Sequence, residues 1–145
     1  MTRPTWPDHW MNAARLAAEM STCASGRRVG AVAVVGGQVV ATGVNGVPTR
    51  YPHPDHCRRR DLGIPSGEQP HLCGCVHAEA NAIANAAKHG TRLEGAALFL
   101  TCQPCRACMG LLANAGIISV YYDGDYPDQE AVTIAQWAGI ELIRA

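Results

Sequence analysis

No run of about 18 apolar residues occurs anywhere in the 145-residue chain, so no segment reads as a membrane-spanning helix. Residues 1–7 lack the apolar core of an export signal, and the expected location is the cytoplasm with no membrane partner. Charge of either sign is not in excess. Twelve basic residues balance 12 acidic ones, which argues against polymeric nucleic acid as a partner, because such binding is driven by phosphate neutralisation. A small anionic substrate held by a few arginines remains compatible with that balance. Internal repeats and low-complexity tracts are also missing. The composition is globular, with 48% apolar and 17% charged residues. The length suits one domain over 1–145, large enough to stand without disulfides. Cysteine is plentiful: Cys23, Cys57, Cys73, Cys75, Cys102, Cys105 and Cys108. Their odd number, without an export signal, points to thiolate metal ligands rather than a disulfide framework.

Periodicity predicts a helix over 8–20, with Asp8 as its N-cap. Two valine-rich runs, 29–35 and 38–44, flank Gly36-Gly37 and read as a β-hairpin. Further helices are predicted over 77–88, 104–115 (with Pro104 in its first turn) and 128–138. Further strands are predicted over 96–101, 117–122 and 140–143. The second half is thus a series of βα units. It implies a three-layer α/β/α sandwich around a central mixed five-stranded sheet, with the hairpin at one edge. Residues 46–76 show no period and hold five prolines and three cysteines. A segment that long and irregular needs something to tie it down.

Two short motifs carry the chemistry. His77-Ala78-Glu79 opens one predicted helix, and Pro104-Cys105-Arg106-Ala107-Cys108 opens another. Cys105 and Cys108, at i and i+3, face the same side of a turn, and a helix N-terminus favours thiolate over thiol. With His77 they make three ligands, the number typical of a catalytic zinc with an open position. Glu79 is the candidate proton shuttle beside it. H-x-E followed by P-C-x-x-C is the signature of zinc nucleobase deaminases. Cys102 forms a competing C-x-x-C with Cys105, but it precedes the helix and is read as a core thiol.

On these motifs the chain resembles the deoxycytidylate (dCMP) deaminase family of the cytidine deaminase-like superfamily. The resemblance also runs through 28–34, 41–48, 62–67, 77–83, 101–105, 115–117 and Tyr121-Tyr122. It implies Zn2+-dependent hydrolysis of dCMP to dUMP, supplying thymidylate synthesis, in which zinc-bound hydroxide attacks C4 and Glu79 shuttles protons. It further implies that the Ala78 N–H meets the base carbonyl, that Asn45 reaches the deoxyribose hydroxyl, and that Tyr126 lies near the substrate. Arg28 is expected at the phosphate. Relatives suggest a homo-oligomer, dimer or hexamer, with dCTP and dTTP as effectors. The chain departs from the family in Val44, Arg106 and Met109-Gly110.

A second, structural zinc in some relatives suggests Cys23, Cys57 and Cys73 as further ligands, with Cys75, His71, His53 or His56 as a fourth. Such a staple would order the irregular segment. Arg58-Arg59-Arg60 reads as a solvated run, and Trp6 and Trp10 as packing for the first helix or an oligomer contact. Alternative readings stay open at this point: a bifunctional dCMP/dCTP deaminase, a free-cytidine or tRNA-adenosine deaminase, or a non-enzymatic zinc-stabilised interaction protein.

Overall fold

The computed structural model describes residues 1–145. β1 (Gly30–Val35) and β2 (Gln38–Val44) form the expected antiparallel hairpin. Its turn, Gly36-Gly37, has φ of 56° and 75°, the positive values a two-residue hairpin turn of matching twist requires. β3 (Ala97–Leu100) lies antiparallel on the other side of β1. β4 (Ser119–Tyr122) and β5 (Glu141–Arg144) follow in parallel. The result is a mixed five-stranded sheet in the order β2-β1-β3-β4-β5.

The helices are α1 (Trp6–Ala18), α2 (Arg58–Asp61), α3 (Ala78–His89), α4 (Arg106–Asn114) and α5 (Gln129–Ala138). The β3-α4-β4 and β4-α5-β5 crossovers step the same way along the sheet, and right-handedness then places α4 and α5 on one face. α3 shares that face. Strand alternation divides the core accordingly. Ala31, Leu98, Leu100 and Val120 pack with Ala82, Met109 and Leu112, whereas Val32, Val34 and Phe99 pack with Met11 and Ala14 of α1. The predicted sandwich is therefore present, with α1 alone on one side.

α3 lies close on β2 because nothing intervenes at Gly43. A Cβ there would sit 2.1 Å from the Ala78 carbonyl oxygen and 2.4 Å from the Ala82 nitrogen. Asn81 Nδ2 donates to the Val44 carbonyl at 2.7 Å and fixes the same junction.

Several boundaries correct the sequence expectation. The N-cap of α1 is Thr5, whose Oγ1 accepts from the Asp8 N–H, so Asp8 lies inside the first turn. α4 is capped by Cys105, which leaves Pro104 outside the helix as a fully buried residue. His77 is likewise the N-cap of α3 rather than its first helical residue. The 46–76 segment holds α2 and a 3-10 turn at Pro70–Leu72, and it is closed by a bridge between Gly46 and Val76.

Candidate active site

His77 and Cys105 are both extended N-cap residues, at φ −70°, ψ 154° and φ −76°, ψ 166°. Each therefore projects its side chain past the start of its helix, and α3 and α4 bring the two starts together. Cys108 joins from the first turn of α4. His77 Nδ1 lies 3.5 Å from each sulfur, and the three ligand atoms fall within 4.8 Å of one another. A tetrahedron built with ordinary Zn–S and Zn–N bonds has S···N edges of about 3.6 Å. Two thiols and one imidazole at that spacing fit zinc with its fourth position free. Asp128 holds the start of α4 in place, since its Oδ2 accepts from the Arg106 N–H at 2.8 Å while its Oδ1 caps α5.

His77, Cys105 and Cys108 shift one another's protonation. The hydrogen bond with Cys108 holds the Cys105 thiol down at about 4, against the effect of burial. The same bond, with burial, pushes Cys108 well up. Hydrogen bonding to Cys105 raises His77. Metal ligation needs both sulfurs ionised and the ring neutral, so binding releases protons.

Glu79 is 4% exposed. Burial pushes its carboxyl up to about 7, opposed by its own backbone N–H and the charge of His77. It lines one cavity with His77, Cys105, Ala78, Asn45 and Tyr126. The Ala78 N–H, at the start of α3, has no helical partner. Asn45 is buried. Its Oδ1 accepts from the Val29 N–H (2.8 Å) and Ser21 Oγ (2.6 Å), and its Nδ2 donates to the Arg27 carbonyl (2.7 Å).

Arg28 is exposed and lies outside this cavity, whereas Arg27 lines it. Arg27 donates to Ser66 Oγ (3.1 Å), Cys102 Sγ (2.8 Å) and the Asp125 carbonyl (3.0 Å), and it sits over the Tyr126 ring at 5.3 Å. The signal for Arg27 was its spacing from Val29. Residues two apart in an extended lead-in share a side, and both face the cavity. Arg59, the middle of the arginine run, also lines it. Cys102 is buried in the core as expected and reaches the cavity wall as well.

A second group of sulfurs gathers Cys23, Cys73 and Cys75, again within 4.8 Å of one another. The Cys23 and Cys73 sulfurs are 3.6 Å apart, close to the roughly 3.8 Å edge of a zinc–thiolate tetrahedron. Cys57 and His71 are not in this group: Cys57 is buried as the N-cap of α2, and His71 is exposed. His56 pairs with Asp61, and His53 is exposed. All seven cysteines are free thiols.

Comparison with known proteins points the same way. The family model for the cytidine and deoxycytidylate deaminase zinc-binding region matches residues 4–123. The chain is 38% identical over 127 residues to the deoxycytidylate deaminase of Mycobacterium phage D29, covering 84% of this chain and 97% of the phage protein. It is 35% identical over 143 residues to that of Schizosaccharomyces pombe, covering 97% of this chain and 44% of the yeast protein. The chain thus spans about half the length of the yeast relatives it matches. Its fold superposes on the dCMP deaminase of cyanophage S-TIM5, solved with dCMP and dUMP, with TM-score 0.82, 30% identity and 100% coverage of both chains. With its zinc-ligand geometry and its sequence agreeing along most of its length, the chain belongs to the cytidine and deoxycytidylate deaminase family.

Proposed function

We propose that this chain is a zinc-dependent deaminase that converts dCMP and water to dUMP and ammonia, acting as a single catalytic domain. The observation that carries this reading is the meeting of an open three-ligand zinc set with a buried carboxyl, Glu79, in one cavity. Zinc held by His77, Cys105 and Cys108 would acidify a water at its open position.

Glu79 is placed to take a proton from the attacking water, deliver it to N3 of the cytosine ring, and pass a proton to the departing amine. Its burial excludes bulk water from those transfers. The Ala78 N–H fits the base carbonyl, because a helix start offers unspent donors. Asn45 keeps one amide hydrogen for the sugar hydroxyl, its other polar contacts being spent on Val29, Ser21 and Arg27. Tyr126 and Arg27 form one wall.

The Cys23, Cys73 and Cys75 cluster is assigned to a second, structural zinc. It joins the region before β1 to the end of the irregular segment, which is where a staple is needed. No helix is long and apolar enough to cross a membrane. A cytosolic setting suits seven free thiols, of which five gather into two metal-ligand groups. Exposed Trp6 and Trp137 offer apolar surface for a homo-oligomer, and dCTP and dTTP as effectors rest on the family resemblance.

The test is Glu79→Gln in zinc-loaded protein. Turnover of dCMP should fall by about 10²- to 10⁴-fold with zinc content and melting temperature retained. Unchanged turnover would overturn the assignment of Glu79. Absence of turnover in the parent protein, with zinc bound, would favour a non-enzymatic zinc-stabilised protein.

A further inference from the structure

We infer that Arg59 is the residue that reads the phosphate of the substrate, a role that rests on the nucleotide reading above. The buried polar side chains of the molecule are Asn45, Arg59 and Glu79, and all three line the same cavity. Asn45 is engaged with backbone and Ser21, and Glu79 stands beside the metal ligands. Arg59 has no such explanation. It is 9% exposed, yet it takes part in none of the ion pairs of the protein. Its one hydrogen bond runs from Nη1 to the Pro65 carbonyl at 2.8 Å.

A guanidinium taken out of water without a counter-charge is costly, and one neutral carbonyl offsets little of that cost. Glu79 is the sole carboxylate of the cavity wall. The missing partner is therefore an anion that arrives with the ligand. A guanidinium presents a planar fork of N–H donors matched to the oxygens of a phosphate monoester.

The neighbouring arginines do not compete for this role. Arg58 and Arg60 turn outward from the single turn of α2, and Arg60 donates to the Ser25 carbonyl. Arg27 already divides its donors among Ser66, Cys102 and Asp125. Among the arginines, Arg59 alone combines burial, a place in the cavity wall, an unpaired charge and unspent donors. Its bond to Pro65 also ties α2 to the turn carrying Ser66 and Gly67, two further cavity residues.

The experiment measures kcat/KM for dCMP and for deoxycytidine in zinc-loaded parent protein, Arg59→Gln and Arg59→Lys. A charge-assisted bidentate contact predicts a fall of about 10- to 100-fold in the preference for dCMP over deoxycytidine in Arg59→Gln. The loss should appear mainly in KM, and Arg59→Lys should recover part of it. Calorimetric binding of dUMP and deoxyuridine to the same three proteins gives a readout that needs no turnover. The dUMP-to-deoxyuridine affinity ratio should fall by a similar factor. If both nucleosides and nucleotides weaken equally, Arg59 only ties the loop and the inference is overturned. It is overturned as well if the parent protein shows no preference for the phosphorylated ligand. Should the parent bind dUMP through Arg59 yet deaminate neither compound, the deaminase reading fails while the phosphate assignment stands.

Discussion

Cys105 and Cys108 are one turn apart, yet their settings differ. Cys105 is an extended N-cap held as the thiolate of the pair, and Cys108 is a buried first-turn residue whose thiol is pushed up. Both, with His77 and Glu79, were legible in the sequence, because i, i+3 spacing and a two-residue offset fix short-range geometry before any fold is known. The second sulfur group was legible only as a set of candidates. Which of Cys23, Cys57, Cys73, Cys75 and His71 meet depends on the path of the 46–76 segment, which no local period dictates. Arg27 was missed in favour of Arg28 for a related reason: the lead-in to β1 is extended without being a strand, so its parity shows only once Val29 is known to face the cavity. At this scale the second-zinc assignment predicts that Cys23→Ser lowers bound zinc from two ions per chain to one. It should also cost about 3–4 kcal/mol of stability if zinc is held at 100 to 1,000 times its dissociation constant. Elemental analysis and thermal melting decide it, and a parent protein holding a single zinc would refute it.

Among the elements, Asp128 has the widest reach. Its carboxylate caps α5 through Glu130 and Ala131 and, through Arg106, also satisfies the start of α4. One side chain thus fixes two helices, one of which carries both thiolate ligands. Asp128→Ala should cost about 1–2 kcal/mol in denaturant unfolding and weaken zinc retention against a chelator. A loss confined to stability, with zinc held as tightly as before, would show that Cys105 is positioned by other contacts, such as buried Pro104. The strands and the later helices were readable from valine-rich runs and alanine stripes; β2 matches its expected 38–44. The entry to α1 was misread because Thr5-x-x-Asp8 is a capping pair lying just ahead of the apolar period. Pro104 was placed inside α4 on its preference for the first turn, but the extended conformation of Cys105 leaves it outside.

For the whole molecule, the site follows from the sheet order. β1 begins, and β2, β3 and β4 end, at the same edge of the sheet, as the pairing of Gly30 with Val44 and of Ala31 with Leu100 requires. Arg27 and Val29 enter there, Asn45 leaves there, and Cys105 and Tyr126 follow the ends of β3 and β4. Ligands of α/β sheets gather beyond the carboxyl ends of such strands. α3 and α4 both start at this edge, so two positive helix ends flank the cavity. The order of elements was legible from the βα series, and with it the fold. The place of Arg59 in the cavity wall was not, because it sits in the segment without periodicity.

The most direct test of the account is the rate of cytosine deamination by zinc-loaded protein on equal concentrations of dCMP, dCTP, deoxycytidine and CMP. The account predicts that dCMP turns over fastest, by at least about tenfold over deoxycytidine. Absence of turnover on all four, with zinc bound and the fold intact, would contradict it.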